Sequence, residues 1–179
     1  GLTPEGETVL KIPNYMMKSI YHKYIKYLFE KNSEINIDIS KIQEAIRQML
    51  RGSLDTYLEI VSEFLRTLSN RDYQRFDEKY IKLAMMAILS VSDFYKIESE
   101  REEGGKYIDL SIKARDRKLK SYIIELKYLK MEEKDKAKNQ KIEEGEEQLK
   151  RLKENSKEEN MDYYLVIFQK DKCIHSEKI

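Results

Sequence analysis

The spacing of apolar residues along the chain changes period near its middle. Residues 1–13, ending in "LKIPN", read as an extended lead-in. Asn14 then caps "YMMKSIYHKYIKYLFEKN", whose Tyr, Met, Ile and Leu recur at helical spacing. A second helix fits "SKIQEAIRQMLRG", with Ile42, Ala45, Ile46 and Leu50 on one side and Gly52 past its end. A third fits "SLDTYLEIVSEFLRTL", striped by Leu54, Leu58, Val61, Phe64 and Leu65. A fourth, over about 74–90, contains "YIKLAMMAIL" and is apolar almost all round, the pattern of a buried central helix.

From about residue 93 the period falls to two. "FYKIES" is a short strand. "KYIDLSI" sets Ile108, Leu110 and Ile112 against Tyr107, Asp109 and Ser111. "SYIIELKYL" sets Ile123, Glu125 and Lys127 against Tyr122, Ile124, Leu126 and Tyr128, with "ARDRKLK" as the hairpin connection. Residues 131–160 are polar and suit a solvated helix. "DYYLVIF" is the strongest strand signal, followed by a last short strand or tail. Only six Gly and two Pro occur, in keeping with a helix-rich chain. This order predicts an α/β sandwich-like domain with a helical N-terminal part over 1–70 and an α/β core over 71–179.

Composition narrows the class without choosing a function. At 179 residues the chain is expected to form a single domain. Its 34 basic and 33 acidic residues leave a formal net charge of +1, so electrostatic arguments must be local. The lone Cys173 excludes an intramolecular disulfide and fits a reducing compartment. No apolar run approaches the ~20 residues of a membrane-spanning helix, and a soluble, cytoplasmic protein without a membrane partner is expected. The chain starts on Gly and is open to being a C-terminal fragment of something longer.

The chemistry is concentrated in the hairpin. Asp109, Glu125 and Lys127 interrupt apolar strands, where an ionised group costs on the order of several kcal/mol unless compensated. If the turn sets residue 115 opposite 119, opposed positions sum to 234. Asp109 then faces Glu125 on one side of the sheet, with Lys127 two residues along. Register decides this, since a slip of one residue would separate the acids. Two carboxylates side by side call for a counter-charge, and oxygen ligands suit Mg²⁺ or Mn²⁺. A structural Glu–Lys pair on a sheet face is the plainer alternative.

"IDL…YIIELKY" resembles the PD-(D/E)XK nuclease superfamily, whose motif is a hydrophobic-Asp step followed by Glu-x-Lys on the next strand. "LKIPN", "RGSLDTYLEIVSEFL", "EKYIKLAMMAILS" and "SEREEGGKYIDL" are similar to flanking segments of one branch, bacterial domains found behind an AAA-type ATPase-like module. The resemblance covers most of residues 10–168. It implies a restriction-endonuclease-like core, α-β-β-β-α-β, with a helical N-terminal extension. It further implies a Mg²⁺- (or Mn²⁺-) dependent nuclease acting on nucleic acid, with DNA the expected substrate and an ATPase-like domain a candidate partner.

By the same resemblance Asp109 and Glu125 would hold the metal and Glu78 would add a ligand. Lys127 would orient the attacking water and stabilise phosphate charge, and Gln148 would support the site. Ile108 stands where the family name has Pro, Lys106 where the branch has Arg, and Lys82 where its helix has His. Lys106 and the basic turn of Arg115, Arg117 and Lys118 are candidate nucleic-acid contacts, although such a turn is also an ordinary solvated hairpin tip. His22, His175 and Cys173 have no partner at metal-ligand or catalytic spacing. The alternative function is a catalytically silent nuclease-fold domain, acting as a binding or regulatory module for nucleic acid, an ATPase domain or another partner.

Overall fold

The computed structural model describes residues 38–68, 76–90, 92–103, 106–133, 135–156 and 158–179, with the side chains of 100–106 left aside. The expected helix beginning at Asn14 and the "LKIPN" entry lie outside the described residues. Asp38–Ile179 forms one compact unit. Its first helix, α1 (Ile39–Leu50), starts where the Asp38 carboxylate accepts the Ser40 and Lys41 N–H groups, satisfying donors that no helical turn reaches. It stops at Gly52, whose φ of +103° is a left-handed conformation that a side chain would strain. The second, α2 (Asp55–Arg66), buries Tyr57, Leu58, Ile60, Val61 and Leu65. The third, α3 (Glu78–Leu89), is capped by Asp77.

Five strands follow: β1 (Tyr95–Glu103), β2 (Lys106–Ala114), β3 (Ser121–Leu129), β4 (Met161–Gln169) and β5 (Lys172–Lys178), with α4 (Asp135–Asn155) between β3 and β4. The sheet order is β1-β2-β3-β4-β5, antiparallel except for the parallel pair β3–β4. A parallel pair needs a crossover, and α4 supplies it. One face of the sheet carries Ile123, Leu129, Tyr163, Leu165 and Ile167, which pack with Leu149 and Leu152 of α4. The other face meets the N-terminal helices: the Tyr122 hydroxyl donates to the Met49 carbonyl, and that of Tyr164 donates to the Gly52 carbonyl at 3.2 Å. Helices on both faces leave β3 and β4 apolar nearly throughout, as buried central strands must be.

Two expectations need correction. The α3 sequence is apolar almost all round, but the helix is not buried all round: Tyr80 and Leu83 are exposed, and the burial falls on Ile81, Lys82, Ala84, Met85, Ile88 and Leu89. The helix lies on the sheet with Tyr80 and Leu83 turned away from it, so hydropathy alone overstates its burial. The polar 131–160 region does form a helix, but that helix is not merely solvated. Gly145 lets it press onto β4, for a Cβ there would come within 2.4 Å of Leu165 Cδ1. Among the described residues no helix is long and apolar enough to cross a membrane.

Candidate active site

The site begins where two strands part. Among the described residues the β2–β3 ladder runs only over Leu110↔Ile124, Ser111↔Ile123 and Ile112↔Tyr122. Each pair sums to 234, the register expected from the turn. Alternation from Leu110↔Ile124 therefore puts Asp109 and Glu125 on one side of the sheet. Beyond that pair β3 still presents N–H groups toward β2, and carboxylates take them. Leu126 N–H donates to Asp109 Oδ2 at 3.0 Å, and Tyr128 N–H donates to Glu78 Oε1 at 3.1 Å. Two acids from different elements thus replace the missing ladder, and satisfying those amides fixes where each carboxylate sits.

Lysines complete the cluster. Lys127 Nζ donates to Glu125 Oε1 at 2.6 Å and to Gln148 Oε1 of α4 at 3.2 Å. Lys82, one turn after Glu78 on the same helix face, brings its Nζ to 3.5 Å from Asp109 Oδ1 and is only 7% exposed. Burial, then the Asp109 charge, hold the Glu125 carboxyl above the ordinary glutamate range, against the pull of Lys127. Burial alone would lower Lys127, but its hydrogen bond to Glu125 and the charges of Glu125, Asp109 and Glu78 outweigh that and raise it. Lys127 is therefore an ammonium, a donor rather than a base.

Glu78, Asp109, Glu125, Lys127 and Gln148 are brought together. Lys82 is an additional member; it stands where the resembling branch has His, although an apolar helix gave little reason to expect a buried lysine beside an acid. Arg115, Arg117 and Lys118 are not brought to this point. They are exposed in the turn at the far end of the hairpin, six residues or roughly 20 Å along β2 from Asp109. There Arg115 Nε donates to the Asp93 carbonyl at 2.5 Å and Asn160 Nδ2 donates to the Arg117 carbonyl at 3.1 Å. The Lys106 side chain lies outside the described residues. Cys173 is pushed up to about 11, first by burial, and stays a thiol.

Among the described residues no three acid, His or Cys side chains already converge as a metal cage. The donor set nonetheless suits a hard divalent cation. It offers carboxylate oxygens, and Glu125, raised first by burial and then by the Asp109 charge, is an acid whose ionised form such an ion would favour.

A family model described as PD-(D/E)XK nuclease superfamily matches residues 76–178, more than half of the chain. The matched span begins just before α3 and ends within β5, so it takes in every member of the cluster. The α3-β1-β2-β3-α4-β4 order within it is a restriction-endonuclease-like core, to which β5 adds an edge strand. No curated protein matches the sequence.

Proposed function

The chain belongs to the PD-(D/E)XK nuclease superfamily, and on that premise we propose that it is a Mg²⁺- or Mn²⁺-dependent nuclease that hydrolyses phosphodiester bonds of DNA in the cytoplasm. The observation that carries this reading is the meeting of Asp109, Glu125 and Lys127 where β2 and β3 separate. Asp109 and Glu125 would hold the metal, and Glu78 would reach it from α3. The bound ion would supply a more acidic water and a counter-charge for the phosphate. Lys127, kept protonated by its acidic neighbours, donates to the attacking water or to a phosphate oxygen as charge develops there. Gln148 is a positioning residue that holds the Lys127 amine. Arg115, Arg117, Lys118 and Lys106 would contribute phosphate contacts away from the reacting bond.

One observation favours a second reading. Lys82 and Lys127 already engage the acids, so the cluster is electrostatically tolerable without a cation. A silent nuclease-fold module, binding nucleic acid or regulating an ATPase-type domain, would fit that. Incubating the protein with plasmid and single-stranded DNA, in Mg²⁺, Mn²⁺ or EDTA, separates the two. Cleavage that needs the metal and vanishes in Asp109→Ala supports the enzyme. No cleavage above background in any divalent metal supports the module.

A further inference from the structure

Exposed aromatic rings are unusual enough to need a reason when they cluster around a polar site, whereas scattered ones do not. Tyr107 is 66% exposed and lies two residues before Asp109, on the same face of β2 and about 7 Å along it. The register that pairs Leu110 with Ile124 would set Tyr107 opposite Lys127, but the ladder has ended there, so the ring borders the gap between the strands. On the other arm Tyr80 is 49% exposed and stacks on Phe76, with centroids 5.2 Å apart and planes 18° from parallel. Phe76 in turn packs against Tyr128, 5.4 Å between centroids, and it is the Tyr128 N–H that holds Glu78. Tyr107 thus stands beside Asp109 at the gap, and Tyr80, on the exposed face of α3, is joined to the cluster through the Phe76–Tyr128 contact.

The cationic side chains of the hairpin turn stand at the far end, and the whole chain carries a net charge of only +1. A duplex hides its base faces and is gripped chiefly through phosphates. An unpaired strand exposes a π-face at every base, and aromatic rings hold it with little regard to sequence.

From these placements we infer that the substrate is single-stranded nucleic acid, with bases flanking the reacting phosphate stacked on Tyr107 and Tyr80. This rests on the nuclease reading for where the phosphate sits, but its test reads binding alone.

The full chain is titrated, in EDTA, into fluorescein-labelled oligo-dT, oligo-rU and a duplex of the same length. The inference predicts at least tenfold tighter binding of a single strand than of the duplex. It also predicts a loss of about tenfold in Tyr107→Ala and in Tyr80→Ala, with Tyr107→Phe and Tyr80→Phe retaining wild-type affinity because the ring carries the contact. The dT and rU arms tell which sugar is preferred. Equal or tighter duplex binding, or alanine variants that bind single strands like the wild type, would overturn it. Metal-dependent cleavage lost in Asp109→Ala would survive that result and keep the nuclease reading. Ring-dependent single-strand binding without any cleavage would do the reverse.

Discussion

Glu125 on β3 and Asp162 on β4 are both almost fully buried, 3% and 4% exposed, on neighbouring central strands, yet their companions are opposite in charge. Asp162 sits between two lysines: Lys120 Nζ is 3.0 Å from Oδ1 and Lys178 Nζ 2.8 Å from Oδ2. Burial pushes its carboxyl up, but Lys178 and Lys120 together bring it below the ordinary aspartate range. Glu125 has one lysine and two acidic neighbours, and it ends above the ordinary range. A buried acid with matched counter-charges ties β4 to β5 and to the turn that leads into β3. One crowded by other acids is poorly explained as a structural joint, and such perturbed groups gather where chemistry is done.

The sharpest way to break this contrast is to neutralise each acid in turn. Glu125→Gln should lower metal-dependent cleavage by about 10³-fold or more while leaving the melting temperature at pH 7 undiminished, because it removes a charge that burial and Asp109 both disfavour. Asp162→Asn should do the opposite. It leaves two amines facing a neutral amide and should lose about 2 kcal/mol, a figure reduced from the fully buried case because both lysines reach water. That corresponds to roughly 4–8 °C for a chain of this size, with cleavage at permissive temperature kept. Calorimetry and a plasmid assay on both variants check this; a loss of stability in Glu125→Gln equal to that of Asp162→Asn would erase the distinction.

A smaller effect is expected where α4 meets the sheet. Gly145→Ala would drive a methyl into Leu165 and should cost about 1–3 kcal/mol. Because Gln148 lies one turn further on, it should also lower kcat by loosening the hold on Lys127. Gln148→Ala alone should reduce kcat by less than about tenfold and leave the melting temperature unchanged. A Gly145→Ala protein with wild-type stability would contradict the close approach.

Much of this was legible in the chain. The hairpin register followed from the turn length and the alternation of apolar residues, and β3 spans the predicted "SYIIELKYL". The first strand runs on through "EREE" to Glu103, further than apolar alternation indicated, since an edge strand bonds on one side only and tolerates charge. The parting of β2 from β3 was not legible, because strand spacing leaves no mark on hydropathy. Nor were Lys82 beside Asp109 and Lys120 on Asp162, each supplied by an element distant in sequence, or Lys178 on Asp162, which depends on how β5 folds back on β4. Spacing carried Asp109, Glu125 and Lys127 onto one face; Glu78 and Gln148 were expected there through the family resemblance alone, and the fold sets them against the Tyr128 N–H and the Lys127 amine.

The two acids also imply opposite pH dependences. Asp162, lowered in the folded chain, contributes stability that is present above its unfolded value of about 3.9 and lost as pH falls through its folded value. Glu125, raised in the folded chain, costs stability as pH climbs from about 4.3 through its folded value. Carbon-13 titration of the two carboxyl groups, with and without Mg²⁺, reads this residue by residue. Glu125 should titrate above an ordinary glutamate without metal and fall when Mg²⁺ is added, as ion and proton compete for it, while Asp162 stays low and unmoved. A Glu125 that titrates at or below the ordinary value and ignores Mg²⁺ would contradict it.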